Sequence, residues 1–289
     1  MQPLESGLEE LALTGTQFED AVITTRNSGA LISGQGGYCA FQPAHTPWRL
    51  SHRRVNIRVS PDSNLRLSRS QIDLEERIPG SIVATDRDGT IVHRIQYVMT
   101  QDRLVAEALT TKTADGDETA SDDPTSGNVP SLVAVRAARD TWDTAGATAH
   151  LNDLISRDSG RQRRQCLPHV GRNRAWKVRA DVIPSFLIFL CDRKTGYARM
   201  VPGPGIVQAD LSPITQVTKH ADILVASGAG SIFSIDLDSI ESAWVTACGM
   251  DWQIELYARD KRAIAILGFH PMENIPNWRD LLTSLPCAA

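Results

Sequence analysis

Apolar and polar residues alternate at several places along the chain with the period of two that marks a half-buried strand. Val55–Val59 (VNIRV) and Asn64–Ser68 (NLRLS) both carry it, and the β-branched run Ala21–Ile23 opens another strand. Longer spacing predicts a short helix at Leu8–Leu13. A second helical stretch follows Ser131, and Asp143–Arg157 continues it with Ala147, Leu151, Leu154 and Ile155 near one face. Phe186–Cys191 (FLIFLC) is a continuous apolar run of strand length. Phe233–Leu237 and Ala243–Thr246 add strands, and Asn277–Leu282 closes the chain as a helix docked through Trp278 and Leu281.

One pattern occurs twice. Ile82–Gln96 reads IVATDRDGTIVHRIQ and Ile254–Gly268 reads IELYARDKRAIAILG, displaced by 172 positions (82 to 254). In each, a β-rich run meets an Arg-Asp turn (Arg87-Asp88, Arg259-Asp260) and continues into a second β-rich run, the signature of a hairpin. So long a period implies two stacked half-molecules, because solenoid repeats run ~20–50 residues. The segment 112–131 is dominated by Asp, Thr, Ser and Gly and cannot bury enough surface to offset its ordering entropy. It divides the chain into an N-terminal half (1–111), an acidic linker (112–131) and a C-terminal half (132–289). The expected fold class is α+β: two tandem repeats, each an antiparallel sheet flanked by helices, with the sheets stacked.

Composition narrows the chemistry. At 289 residues with 42% hydrophobic and 22% charged content, the chain reads as globular, and a net charge of −4 gives no field suited to nucleic acid. The first residues lack the basic and apolar regions of a signal peptide, and no apolar run approaches the ~20 residues of a membrane span. Five dispersed cysteines without C-x-x-C spacing argue against a disulfide framework or zinc site and favour a reducing cytoplasm. G-x-S-x-G, H-E-x-x-H, Walker and G-x-G-x-x-G motifs are absent. The glycine strings Gly34-Gln35-Gly36-Gly37 and Gly228-Ala229-Gly230 lack the strand-then-helix context of a phosphate cradle.

His150 stands out as a lone imidazole on a largely apolar helix, where it could ligate a haem iron or serve only the helix's own packing. Arg157, Arg161, Arg163 and Arg164 follow closely. Guanidinium groups suit the two carboxylates of a haem, while the bland alternative is a solvated loop face. No aromatic residue interleaves with these arginines, as single-stranded nucleic acid would require.

Motifs across both halves resemble the haemin-degrading factor family of haem-utilisation proteins. Thr25-Arg26-Asn27 matches an early T-R-N, Asn64–Leu67 resembles D-L-R-L, and Asp86–Arg94 (DRDGTIVHR) resembles F-D-x-x-G-x-x-V-H-K. In the C-terminal half the resemblance runs through Ile240–Val245, Ile254–Tyr257, Leu267-Gly268 and Pro276–Arg279. The resemblance implies a cytoplasmic protein of two stacked halves with haem in a cleft between them. It makes His150 the axial ligand, since W-x6-H matches Trp142 and His150 with one residue inserted. It also makes Arg161 the propionate anchor, with Arg157 of the same basic cluster close enough to rim the cleft, and assigns to Arg66 the role of an arginine that faces the iron's other side. His270 falls in the segment that replaces the family's G-K-R-K-P-G, and could be a further ligand or a loop residue. The implied activity is opening of the porphyrin ring to release iron, with electrons from an external donor. The alternatives are a haem chaperone serving a haem transporter or a separate haem oxygenase, and a relative that no longer binds haem.

Overall fold

The computed structural model describes residues 1–39, 48, 50–51, 53–60, 63–71, 78–111, 132–156, 158–248, 251–268 and 275–288. The predicted linker, Arg157 and His270 lie outside the described residues. The strands of the first half are β1 (Gln2–Pro3), β2 (Val22–Arg26), β3 (Ala30–Gln35), β4 (Asn56–Val59), β5 (Arg66–Ser70), β6 (Gly80–Thr85) and β7 (Ile91–Tyr97). Those of the second half are β8 (Ala175–Val178), β9 (Ala198–Gly203), β10 (Ile206–Asp210), β11 (Gln216–His220), β12 (Ile223–Gly228), β13 (Ser231–Asp236), β14 (Ser242–Cys248), β15 (Asp251–Tyr257) and β16 (Ala263–Gly268). The helices are α1 (Leu8–Thr14), α2 (Thr100–Glu107), α3 (Leu132–Thr141), α4 (Gly146–Leu154), α5 (Arg161–Cys166), α6 (Ile183–Asp192) and α7 (Ile275–Thr283).

The repeat seen in the sequence is a repeat of register. Hairpin β6–β7 shifts register between Ala84 and Thr85, and β15–β16 shifts between Leu256 and Tyr257, the same 172 positions on (84 to 256). Their turns match as well. Asp86 N donates to the Thr90 carbonyl and Gly89 N to the Asp86 carbonyl, just as Ala258 N donates to the Arg262 carbonyl and Lys261 N to the Ala258 carbonyl. Gly89 and Lys261, again 172 apart, both adopt positive φ (78° and 70°), a conformation that strains lysine but not glycine.

The halves are not separate sheets. A nine-stranded sheet runs β1-β5-β6-β7-β2-β3-β13-β12-β11, and a seven-stranded sheet runs β4-β10-β9-β16-β15-β14-β8. Strands β11–β13 of the second half therefore extend the first sheet, while β4 of the first half completes the second. The exchange is reciprocal. Ile32 of β3 faces Phe233 of β13, and Gln208 of β10 faces Ile57 of β4, each partner displaced by 176 positions (32 to 208, 57 to 233).

The sheets stack through a core that includes Ile32, Leu224, Phe233, Val245, Leu256 and Leu267, and α3–α5 cover the other face of the seven-stranded sheet through Leu154, Trp244 and Ile266. Every residue of β14 is buried, as a strand covered on both faces must be. Phe186–Cys191 is not a strand but the body of α6. Pro184 stands in its first turn, and Ile183, Phe186, Leu187 and Leu190 are buried at helical spacing while Ile188 and Phe189 are exposed.

The T-R-N motif stitches the two sheets. Asn27 Nδ2 donates to the carbonyls of Pro202 (2.8 Å) and Ile264 (2.7 Å), while its Oδ1 accepts from Gly29 N and Ala30 N. Thr25 Oγ1 donates to Gln208 Oε1 at 2.8 Å. Having spent its one proton there, it accepts from His93 Nδ1, so His93 Nε2 accepts from the Tyr38 hydroxyl. Burial holds the His93 pKa down to about 3, which keeps this fully bonded ring neutral.

Candidate functional site

Helix α4 lies over the seven-stranded sheet after the turn that ends α3, and its inner face carries His150, Leu151 and Leu154, all buried. His150 sits against the Trp142 indole, ring centroids 4.5 Å apart, and is 5% exposed. Both imidazole nitrogens are engaged. Nε2 lies 2.9 Å from the Trp142 carbonyl, which can only accept, so Nε2 carries the proton. Nδ1 lies 2.7 Å from Arg163 Nη1, which can only donate, so Nδ1 is the acceptor. Burial, then the Arg163 charge, push the His150 pKa below its ordinary value, and the ring is neutral.

Beneath α5, Arg163 and Glu255 form a buried ion pair, 3% and 0% exposed, with Arg163 Nη2 2.7 Å from Glu255 Oε1. Arg163 Nε adds contacts of 3.2 and 3.0 Å to the two carboxylate oxygens. Thr246 (2.7 Å), Gln253 (2.8 Å) and Tyr257 complete the donors to Glu255. Burial alone would raise the Glu255 pKa; the Arg163 charge and these bonds outweigh it and hold the carboxyl at about 2. The Arg163 guanidinium also lies 4.7 Å from the Trp142 ring centre, which makes one connected cluster of Trp142, His150, Arg163 and Glu255.

This cluster fits a haem axial ligand poorly. A histidine bound to metal presents a lone pair to the metal and donates its other N–H to a carboxylate or carbonyl. Here the second nitrogen faces a cationic donor, and the remaining N–H is spent on a backbone carbonyl. The spacing has a simpler reading too: with six residues intervening after Trp142 and no insertion, the position reached is Ala149, which is half-buried on α4 while His150 turns inward.

The other predicted residues do not converge on His150. Arg161 turns to the second hairpin, its Nε donating to the Asp260 carbonyl at 3.1 Å and its Nη2 lying 3.8 Å from Asp260 Oδ2. Arg164 stacks 4.7 Å over Trp244 and donates to Ser242 Oγ. Arg66 is exposed on β5, in the nine-stranded sheet, and no hydrogen bond or ion pair joins it to α4. The arginine that the first half does bring to α4 is Arg58, on the exchanged strand β4. It is 1% exposed, and its Nε donates to Asn152 Oδ1 at 3.1 Å. Local sequence carried no sign of this, because the contact depends on β4 pairing with β10 in the other half's sheet. Among the described residues no group of three or more His, Cys, Asp or Glu side chains is placed to hold a metal ion, and no helix is long and apolar enough to cross a membrane.

No family profile and no curated protein matches the chain. Among solved structures it is similar to holo-PhuS, a haem-binding protein from Pseudomonas aeruginosa, with TM-score 0.79 at 16% identity over 99% of this chain and 87% of that one. It is also similar to ChuS, a haem-degrading enzyme of Escherichia coli O157:H7, with TM-score 0.78 at 17% identity over 99% and 86%. At such identity the likeness concerns the fold, and along nearly its whole length this chain has the stacked two-sheet α+β fold of those two proteins.

Proposed function

We propose that this protein belongs to haem utilisation and acts as a haem carrier, taking haem against α4 and passing it on, with no bond from His150 to the iron. The observation that carries the reading is a fold shared over 99% of the chain with a structure named as haem-bound. The half-buried face of α4 offers the small Ala149 for contact with a flat ring, and Arg58 and Asn152 lie beside it. Placement in the cytoplasm, with a transporter as donor and a separate oxygenase as acceptor, follows from this reading.

Ring opening is the second reading, favoured by the likeness to ChuS, named as a haem-degrading enzyme. Against it stand the engaged His150 and the position of Arg66 away from α4. A haemin titration followed by absorption, with His150→Ala alongside and circular dichroism to verify folding, separates these readings. The carrier predicts a saturable Soret change with the same band position in the variant, and a band that persists under reductant or peroxide. A band moved by the substitution would overturn the absence of an iron bond. Soret loss with iron release would replace carriage by turnover, and no saturable change would remove haem altogether.

A further inference from the structure

The reciprocal strand exchange leaves a small open cavity where the two exchanged pairs, β3–β13 and β10–β4, face each other. Its volume is about 80 Å³, several times the ~10–15 Å³ that one water needs and well below the ~300 Å³ at which clefts for drug-sized ligands begin. The lining respects the internal symmetry: Gly34 is matched by Asp210, and Arg53, Arg54 and Val55 by Ala229, Gly230 and Ser231, each 176 positions on (34 to 210, 53 to 229, 55 to 231).

The two walls differ chemically. The first half contributes two adjacent arginines where the second half contributes the tight Ala229-Gly230 turn, both residues at positive φ. Asp210, the one acidic residue of the lining among the described residues, is already saturated. Its Oδ1 accepts from Ser212 N (2.9 Å) and Ser212 Oγ (2.7 Å), and its Oδ2 from Ser231 Oγ and from Arg199, whose charge compensates it. Arg54 donates one N–H, from Nη1, to the Thr16 carbonyl at 2.8 Å, which anchors the side chain without neutralising it. Among the described residues neither Arg53 nor Arg54 is paired with a carboxylate. The cavity is thus a small polar space with two arginines on one side that no carboxylate of the described residues pairs.

We propose that this cavity is a binding site for a single small anion, a phosphoryl or carboxylate group held by Arg53 and Arg54. Planar guanidinium groups match both oxyanions. The cation-free opposite wall sets the stoichiometry at one per chain. The site is separate from α4 and independent of any haem role.

Isothermal titration of the full chain with inorganic phosphate, at ionic strength held constant with chloride, tests the proposal. The Arg53→Ala/Arg54→Ala double variant is titrated in parallel, and melting curves are recorded for both proteins without phosphate. The expected result is one saturable site, weakened at least about tenfold in the variant, the share of a single charge-assisted hydrogen bond. Both arginines are exposed, so the phosphate-free melting temperatures should agree. Displacement of phosphate by acetate would assign the site to carboxylates, and failure to displace would assign it to phosphoryl groups; either supports an anion site. Equal binding by both proteins, or no saturable heat at tens of millimolar phosphate, would overturn it.

Discussion

Replacing Arg163 with alanine should be among the most damaging single changes in the C-terminal half. The substitution strands Glu255, a carboxylate with no exposure, without the guanidinium that is its one close cation among the described residues. Breaking a buried pair by removing one partner costs about 3–5 kcal/mol. Linkage gives a similar figure. The Glu255 carboxyl is held at about 2 against an ordinary 4.5, and at about 1.4 kcal/mol per pH unit this difference amounts to about 3 kcal/mol. Thr246, Gln253 and Tyr257 remain as donors in the variant, which places the cost toward the lower end of that range. The sign with pH follows from the depressed carboxylate. Its contribution is complete above about pH 4.5 and is lost as pH falls toward about 2. Urea unfolding followed by circular dichroism at pH 7 and pH 4 measures both effects. The wild type should lose part of this increment at the lower pH. The variant should lose none and could gain, since protonation relieves its unpaired carboxylate. The double variant Arg163→Met/Glu255→Leu should recover only part of the loss, because two apolar groups leave no buried charge but deprive Thr246, Tyr257 and His150 of their partners. An Arg163→Ala cost under about 1 kcal/mol would refute the view of this cluster as a mutually dependent unit.

The remaining predictions concern the seam and α4. His93, held at about 3 by burial, contributes stability that is complete above its ordinary 6.5 and falls by about 1.4 kcal/mol per pH unit on acidification. Wild type and His93→Gln should therefore differ in the slope of unfolding free energy between pH 6.5 and 4.5, and parallel slopes would count against the assignment. Asn27→Ala leaves the Pro202 and Ile264 carbonyls without their side-chain donor and should cost about 2–3 kcal/mol in chemical denaturation. Ala149→His puts an imidazole on the half-buried face of α4 and should shift the Soret band of haemin-loaded protein, whereas His150→Ala should not; a shift in the second alone would reverse the roles of the two positions.

What the sequence disclosed was local. The hairpins β6–β7 and β15–β16 were readable because alternation and turn residues sit within one short window, and the duplication made each support the other. The alternating strand at 55–59 was equally visible, yet its sheet was not: nothing within VNIRV states that it pairs with Ile206–Ala209 rather than with the strands of its own half. That pairing places Arg58, and not Arg66, beside α4. Phe186–Cys191 misled for a related reason, since six consecutive apolar residues satisfy strand and helix alike until Pro184 and the spacing of the buried positions are weighed together. The arginine cluster announced charge but not its destinations, which are Asp260 for Arg161, Glu255 for Arg163 and the Trp244 ring for Arg164.

His150 shows how little separates a ligand from a packing residue on a helix. Successive residues point about 100° apart, so a displacement of one position turns a side chain from a cleft to a core. With His150 turned inward, the imidazole sits where a donor and an acceptor were both available, and Arg163 and the Trp142 carbonyl satisfy it completely. Freeing Nε2 as a lone pair would move its proton to Nδ1, directly against the N–H of Arg163, and the guanidinium would have to withdraw from both His150 and Glu255. The ion pair that stabilises the second half thereby opposes iron ligation at this position. One residue of register thus decides whether an imidazole on this helix is free to meet a ligand or is held within the buried network.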